Sequence, residues 1–161
     1  MIYCNMLHIR LITVGTLKET FWRDAYAEYA KRLTRYCKLE LIEIKESNPK
    51  QESADIRAKL DTKKGHVFLM DIKGTPTSSE DLASKISNLS QTTSTITFII
   101  GGSDGVYMGS DPTTQHGSLA TLINDKISFG KITLPHQLFR VILTEQIYRA
   151  FTMIGNEKYH K

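Results

Sequence analysis

The stretch that decides the fold is Thr95–Gly105, "TITFIIGGSDG". It begins as a continuous apolar run, the pattern of a strand buried on both faces of a parallel sheet. It then lands on two glycines, a serine, an aspartate and a third glycine. A buried strand that ends on backbone stripped of side chains admits two readings. One is a tight turn in which glycine supplies a positive φ. The other is a loop whose backbone comes close to a ligand.

Working outward, the chain alternates strand and helix patterns. "LHIRLITV" (Leu7–Val14) reads as a strand broken by Gly15 and Thr16. "ETFWRDAYAEYAKRL" (Glu19–Leu33) then places Trp22, Tyr26, Tyr29 and Leu33 at helical spacing, an apolar stripe expected to pack in the core. "LELIEI" (Leu39–Ile44) alternates like a half-exposed strand. Lys45 to Lys64 is charged and predicts a short, solvated surface helix. "HVFLMDI" (His66–Ile72) is a third strand and "KGTPTSSE" (Lys73–Glu80) a loop. Ser78 or Ser79 can cap the helix that runs through Ile86 and Leu89. Ser103 to Lys126 shows no clear element. "KISFGKITLP" gives a short strand and a turn, and Pro135 suits the first turn of a last helix. That helix reaches Ile154, with Gly155 expected as a left-handed cap. It is apolar on more than one side, a surface that a homodimer interface would cover.

This order predicts an α/β fold: a mostly parallel sheet with helices on both faces. In such sheets ligands bind beyond the carboxyl ends of the strands, where the quoted loop lies. The loop is not a phosphate cradle of known type. "GGSDGVYMGS" lacks the lysine of a P-loop, and its glycines at 101, 102, 105 and 109 do not fit a dinucleotide fingerprint. With "LMDIKGTP" and "SFGKITLPHQLFR" it forms a set of loops able to wall a pocket for a flat, mostly apolar ligand with polar edges.

Composition bounds the rest. The 161 residues suit one domain, with 40% apolar and 24% charged residues. A net charge of +4 permits an anionic partner such as RNA without requiring one. No apolar run is long enough to span a membrane, and the start lacks the pattern of a signal peptide. Cys4 and Cys37 form no metal-ligand pattern, and two free thiols are the plainer reading than a disulfide. A cytoplasmic protein is expected. His8, His66, His116, His136 and His160 show no ligand spacing, so no metal is expected.

"FIIGGSDG", then "SFGKITLPHQLFRVILTEQIYRAF" and a closing "YHK" resemble the RlmH family of the SPOUT methyltransferases, which act on N3 of a pseudouridine in 23S rRNA. The likeness extends to "IRLITVG" and "WRDAYAEYAKRL", nearly the whole chain. It implies a single domain over 1–161, with 1–5 a possible extension, and a C-terminal trefoil knot. It also implies a homodimer, S-adenosylmethionine as cofactor, and the assembled ribosome as substrate. Carried onto this sequence, the cofactor pocket uses Met70, Gly101, Phe129, Gly130, Lys131, Ile132, Thr133 and Leu134. His160 is the candidate proton acceptor and Tyr159 a stacking or donor group, against the reading of an irrelevant chain end. Arg149 stabilises negative charge or grips phosphate, or else simply pairs with Glu145. His136 and Arg140, four residues apart, contact RNA phosphate or only cap and solvate the helix start. The competing function is a catalytically inactive ribosome- or RNA-binding protein on the same fold.

Overall fold

The computed structural model describes residues 6–61, 64–109 and 118–158. Five strands, β1 (His8–Val14), β2 (Lys38–Ile44), β3 (His66–Pro76), β4 (Thr95–Ile100) and β5 (Asp125–Ser128), form one sheet. Their order is β2-β1-β4-β3-β5, and every pair is parallel. The helices are α1 (Thr20–Leu33), α2 (Pro49–Asp61), α3 (Ser79–Ser90) and α4 (His136–Ile154). A 3-10 turn, Leu119–Leu122, lies in the stretch without a clear sequence pattern.

Strand alternation feeds two cores. Ile9 and Leu11 of β1, Phe68 of β3 and Ile96, Phe98 and Ile100 of β4 meet Leu33, Leu82, Ile86, Leu143 and Ile147 of α1, α3 and α4. Ile12, Val14, Leu69 and Ile99 point the other way and meet Ile56 and Leu60 of α2 together with Leu119. All six residues of β4 are buried, as its uninterrupted apolar run requires.

Four expectations change. The α1 stripe is only partly core: Leu33 is buried in it and the half-buried Tyr26 packs against it, but Trp22 and Tyr29 are half-buried outside it, because α1 packs mainly on α4 at the edge of the sheet. The loop expected after Ile72 is partly strand. β3 bulges between Met70 and Thr75, and Thr75 and Pro76 then pair again with Ile127 and Ser128. Pro135 is the cap residue ahead of α4 rather than its first helical residue. Gly155 has φ −79°, and the left-handed residue is Asn156 at φ 52°. The N–H groups of Asn156 and Glu157 donate to Met153 O and Thr152 O, closing a Schellman motif one residue later than expected. At α3 the cap is Ser78. Its hydroxyl accepts from Asp81 N–H while the Asp81 carboxylate accepts from Ser78 N–H, a reciprocal box.

Candidate functional site

The carboxyl ends of β3, β4 and β5 open into a cleft of about 810 Å³. Three segments wall it: Leu69–Ile72, Ile100–Met108 and Ile127–His136, with Phe139 behind. The lining is mostly apolar with a few polar groups, as ligand sites are.

The glycine loop leaves β4 and folds back on itself. Gly105 N–H donates to Gly102 O, and a Cβ on Gly101 would lie 2.6 Å from Val106 Cγ2. The returning Val106 therefore explains Gly101 without any ligand. Behind the loop, the first turn of α2 holds it in place: Ser53 Oγ accepts from Tyr107 N–H, and the buried Glu52 carboxylate backs Gly102. On the opposite wall, Ser128 accepts from Gly130 N–H and donates to Gly130 O. The same hydroxyl lies 3.3 Å from Ile72 O, tying β5 to the β3 bulge. Gly130 has φ 140° with open space around it, so backbone conformation and not crowding demands glycine there.

All eight residues expected to form the cofactor pocket line this one cleft: Met70, Gly101, Phe129, Gly130, Lys131, Ile132, Thr133 and Leu134. Ile132 is 79% exposed at the rim, with Ile72 exposed nearby on the same lining. His136, the first residue of α4, also lines it. Asp71, Ser103, Val106, Met108, Ser128 and Phe139 also line the cleft; sequence reasoning had them inside the three wall segments but named none of them as a pocket residue. Asp71 had a legible signal, since it directly follows a strand end already expected at the pocket. Met108 and Phe139 had none, because only the return of the glycine loop and the start of α4 bring them in.

Arg140 corrects an expectation. It is fully buried, with Nη1 donating to Glu43 Oε1 at 2.6 Å and Nη2 to Gly15 O at 2.8 Å. It cannot reach an RNA phosphate; it pins α4 to the ends of β1 and β2. Burial there pushes the nearby Tyr26 phenol up to about 12, against the opposing pull of Arg140. Arg149 is paired with Glu145, Nε and Nη2 both donating to Oε1 at 3.0 and 2.7 Å. At a rise of about 1.5 Å per residue it sits roughly 20 Å along α4 from His136, away from the cleft of its own chain. Tyr159 and His160 lie outside the described residues. Among the described residues, no three His, Cys, Asp or Glu side chains converge as metal ligands, and no helix is long and apolar enough to cross a membrane.

Comparison with known proteins gives a consistent answer. A family model described as "Predicted SPOUT methyltransferase" matches residues 7–160. A protein of Latilactobacillus sakei subsp. sakei (strain 23K) named "Ribosomal RNA large subunit methyltransferase H" is 43% identical over 169 residues, covering 96% of this chain and 100% of that protein. Proteins of the same name in Mycoplasmopsis synoviae (strain 53) and Limosilactobacillus reuteri (strain DSM 20016) are 45% and 44% identical, each over at least 95% of this chain and 99% of the relative.

Proposed function

The chain belongs to the SPOUT methyltransferase family, and from that premise we propose that it is an S-adenosylmethionine-dependent methyltransferase acting on large-subunit ribosomal RNA. The observation that carries the reading is the convergence of three sequence-distant segments, around Met70, Gly101 and Phe129–Leu134, on one mostly apolar cleft at the strand ends. The likeness over the whole length to proteins named for this activity supports it. We propose further that the acceptor is N3 of a pseudouridine in 23S rRNA of the assembled ribosome. We also propose that the chain acts as a homodimer and that its C-terminal segment threads a trefoil knot.

The residues present fit the cofactor. The volume suits a nucleoside-sized ligand, and Met70, Ile132 and Leu134 offer apolar contact for an adenine. The backbone groups of Gly101 and of residues 129–134 supply polar partners at its edges. When bound, S-adenosylmethionine supplies a methyl group already activated on a sulfonium, so the protein's task is positioning and charge management. Ser128 and the β3 bulge brace the 129–134 wall. An imide N3 has to lose its proton to become a nucleophile. His160 is proposed to accept it, because imidazole titrates near neutrality, with Tyr159 directed at the base or its carbonyls. Arg149 stabilises negative charge in this reading only where the second chain of the dimer brings its cleft to α4.

The experiment is a calorimetric titration with S-adenosylmethionine. It is followed by incubation of the protein and cofactor with ribosomes from cells lacking the modification, and mass mapping of 23S rRNA. Saturable binding and one added methyl group on a pseudouridine are expected. Binding without methylation would leave a ribosome-associated protein on a methyltransferase fold, and absence of binding would remove the cofactor assignment.

A further inference from the structure

Charge is unevenly distributed on the cleft wall. Among the described residues that line it, Asp71 is the only carboxylate, with Lys131 and His136 the basic side chains. Asp71 follows Met70 at the point where β3 leaves its ladder with β5, so the bulge sets its position. One carboxylate oxygen, Oδ1, accepts the Lys73 N–H at 2.9 Å, which closes a local turn and orients the group. A carboxylate has about four lone-pair sites, and that bond uses one. The side chain is half-buried, so its charge is felt inside the cleft more strongly than a fully solvated charge.

A cation that enters an apolar cleft loses hydration and needs a compensating charge. S-adenosylmethionine brings two positive centres, the sulfonium and the α-ammonium. We propose that Asp71 is the counter-charge for the positive part of the methyl donor, an inference that rests on reading this cleft as the S-adenosylmethionine site. The chain thereby selects the cationic donor by charge, in addition to the shape read by the apolar walls.

The test is isothermal titration of wild-type protein and Asp71→Asn with three ligands: S-adenosylmethionine, S-adenosylhomocysteine and 5′-methylthioadenosine. Asparagine keeps the Oδ1 acceptor for Lys73 N–H and removes only the charge. Asp71→Asn should bind S-adenosylmethionine about tenfold more weakly, between the scale of a charge pair in bulk water and that of one near a protein surface. It should bind 5′-methylthioadenosine, which has neither positive centre, within about twofold of wild type. S-adenosylhomocysteine retains the ammonium and lacks the sulfonium. Its unchanged affinity assigns Asp71 to the sulfonium, and a parallel loss assigns it to the ammonium. Unchanged affinity for S-adenosylmethionine, or an equal loss for 5′-methylthioadenosine, overturns the proposal and leaves Asp71 a turn-forming residue. A wild-type protein that binds none of the three ligands overturns the reading of the cleft itself.

Discussion

Arg140 shows how burial reassigns a residue. A basic side chain four positions after a histidine at a helix start looks like a phosphate ligand, yet the guanidinium is spent on Glu43 and Gly15 O inside the protein. Breaking a buried pair by removing one partner costs about 3–5 kcal/mol. Glu43 keeps 35% of its side chain exposed and can rehydrate, so Arg140→Leu should cost less, about 2–3 kcal/mol in urea unfolding. The same variant should leave the salt dependence of ribosome binding unaltered. A lost phosphate contact would instead shallow that slope by nearly one unit. Cys37 makes a second residue-scale prediction. Burial pushes its thiol from 9.0 up to about 12, so it stays neutral in the folded chain while the unfolded chain ionises first. Its contribution is fully present below about pH 9 and is lost as pH rises toward 12. Over that window stability should fall by about 1.4 kcal/mol per pH unit from this group, with Tyr26 adding to the fall above about pH 10. Urea melts between pH 8.5 and 11 should show a shallower fall in Cys37→Ala than in wild type.

At the scale of elements, two glycines near element ends behave differently. Gly74 lies in the β3 bulge, where an added Cβ would sit 2.7 Å from Ile127 N and from Lys126 C. That backbone belongs to β5, which leads directly into the 129–134 wall. Gly74→Ala should therefore both destabilise the protein, by about 2–3 kcal/mol, and weaken S-adenosylmethionine binding at least tenfold. Gly155 is the contrast. Its φ is −79° and an added Cβ finds only ordinary contacts, the nearest at 3.4 Å. Gly155→Ala should be neutral, or stabilise by up to about 1 kcal/mol through the unfolded state. Asn156→Gly should stabilise as well, because Asn156 carries the left-handed turn. A thermal melt of the three variants separates these cases. A large loss in Gly155→Ala would mean that the cap sits where sequence alone put it. Sequence put one in a loop and the other at a helix end, but could not tell which of them is crowded. A "helix then glycine" pattern fixes a cap only to within a residue, whereas the close approach at Gly74 is made by a strand more than fifty positions away.

For the molecule as a whole, the parallel sheet and its helices were legible because strand and helix periods alternate cleanly from Leu7 to Ile100. Less legible were the bulge in β3, the turn Leu119–Leu122 and the burial of Arg140, each decided by contacts distant in sequence. The three segments that wall the cleft could be located because glycine, proline and strand ends mark themselves, but nothing singled out Phe139 and Met108 within them. Charge sets the final prediction. The chain carries 21 basic and 17 acidic side chains, a net of +4, and Arg10, Arg23, Arg32, Arg140 and Arg149 are engaged within the fold. The net excess of positive charge is small, and affinity for free RNA scales steeply with the number of phosphates neutralised. The apolar rim at Ile72 and Ile132 adds shape-dependent contact but no long-range attraction. On the proposed function, recognition should then draw on a surface that the assembled ribosome presents and an isolated hairpin lacks. With S-adenosylmethionine saturating, initial methylation rates on ribosomes should exceed those on the corresponding naked hairpin by about a hundredfold or more at physiological salt. Lowering the salt to about 50 mM should narrow the gap only partly, because missing shape, unlike screened charge, is not restored by dilution. Equal rates on the two substrates would show instead that the cleft and its rim read the hairpin unaided.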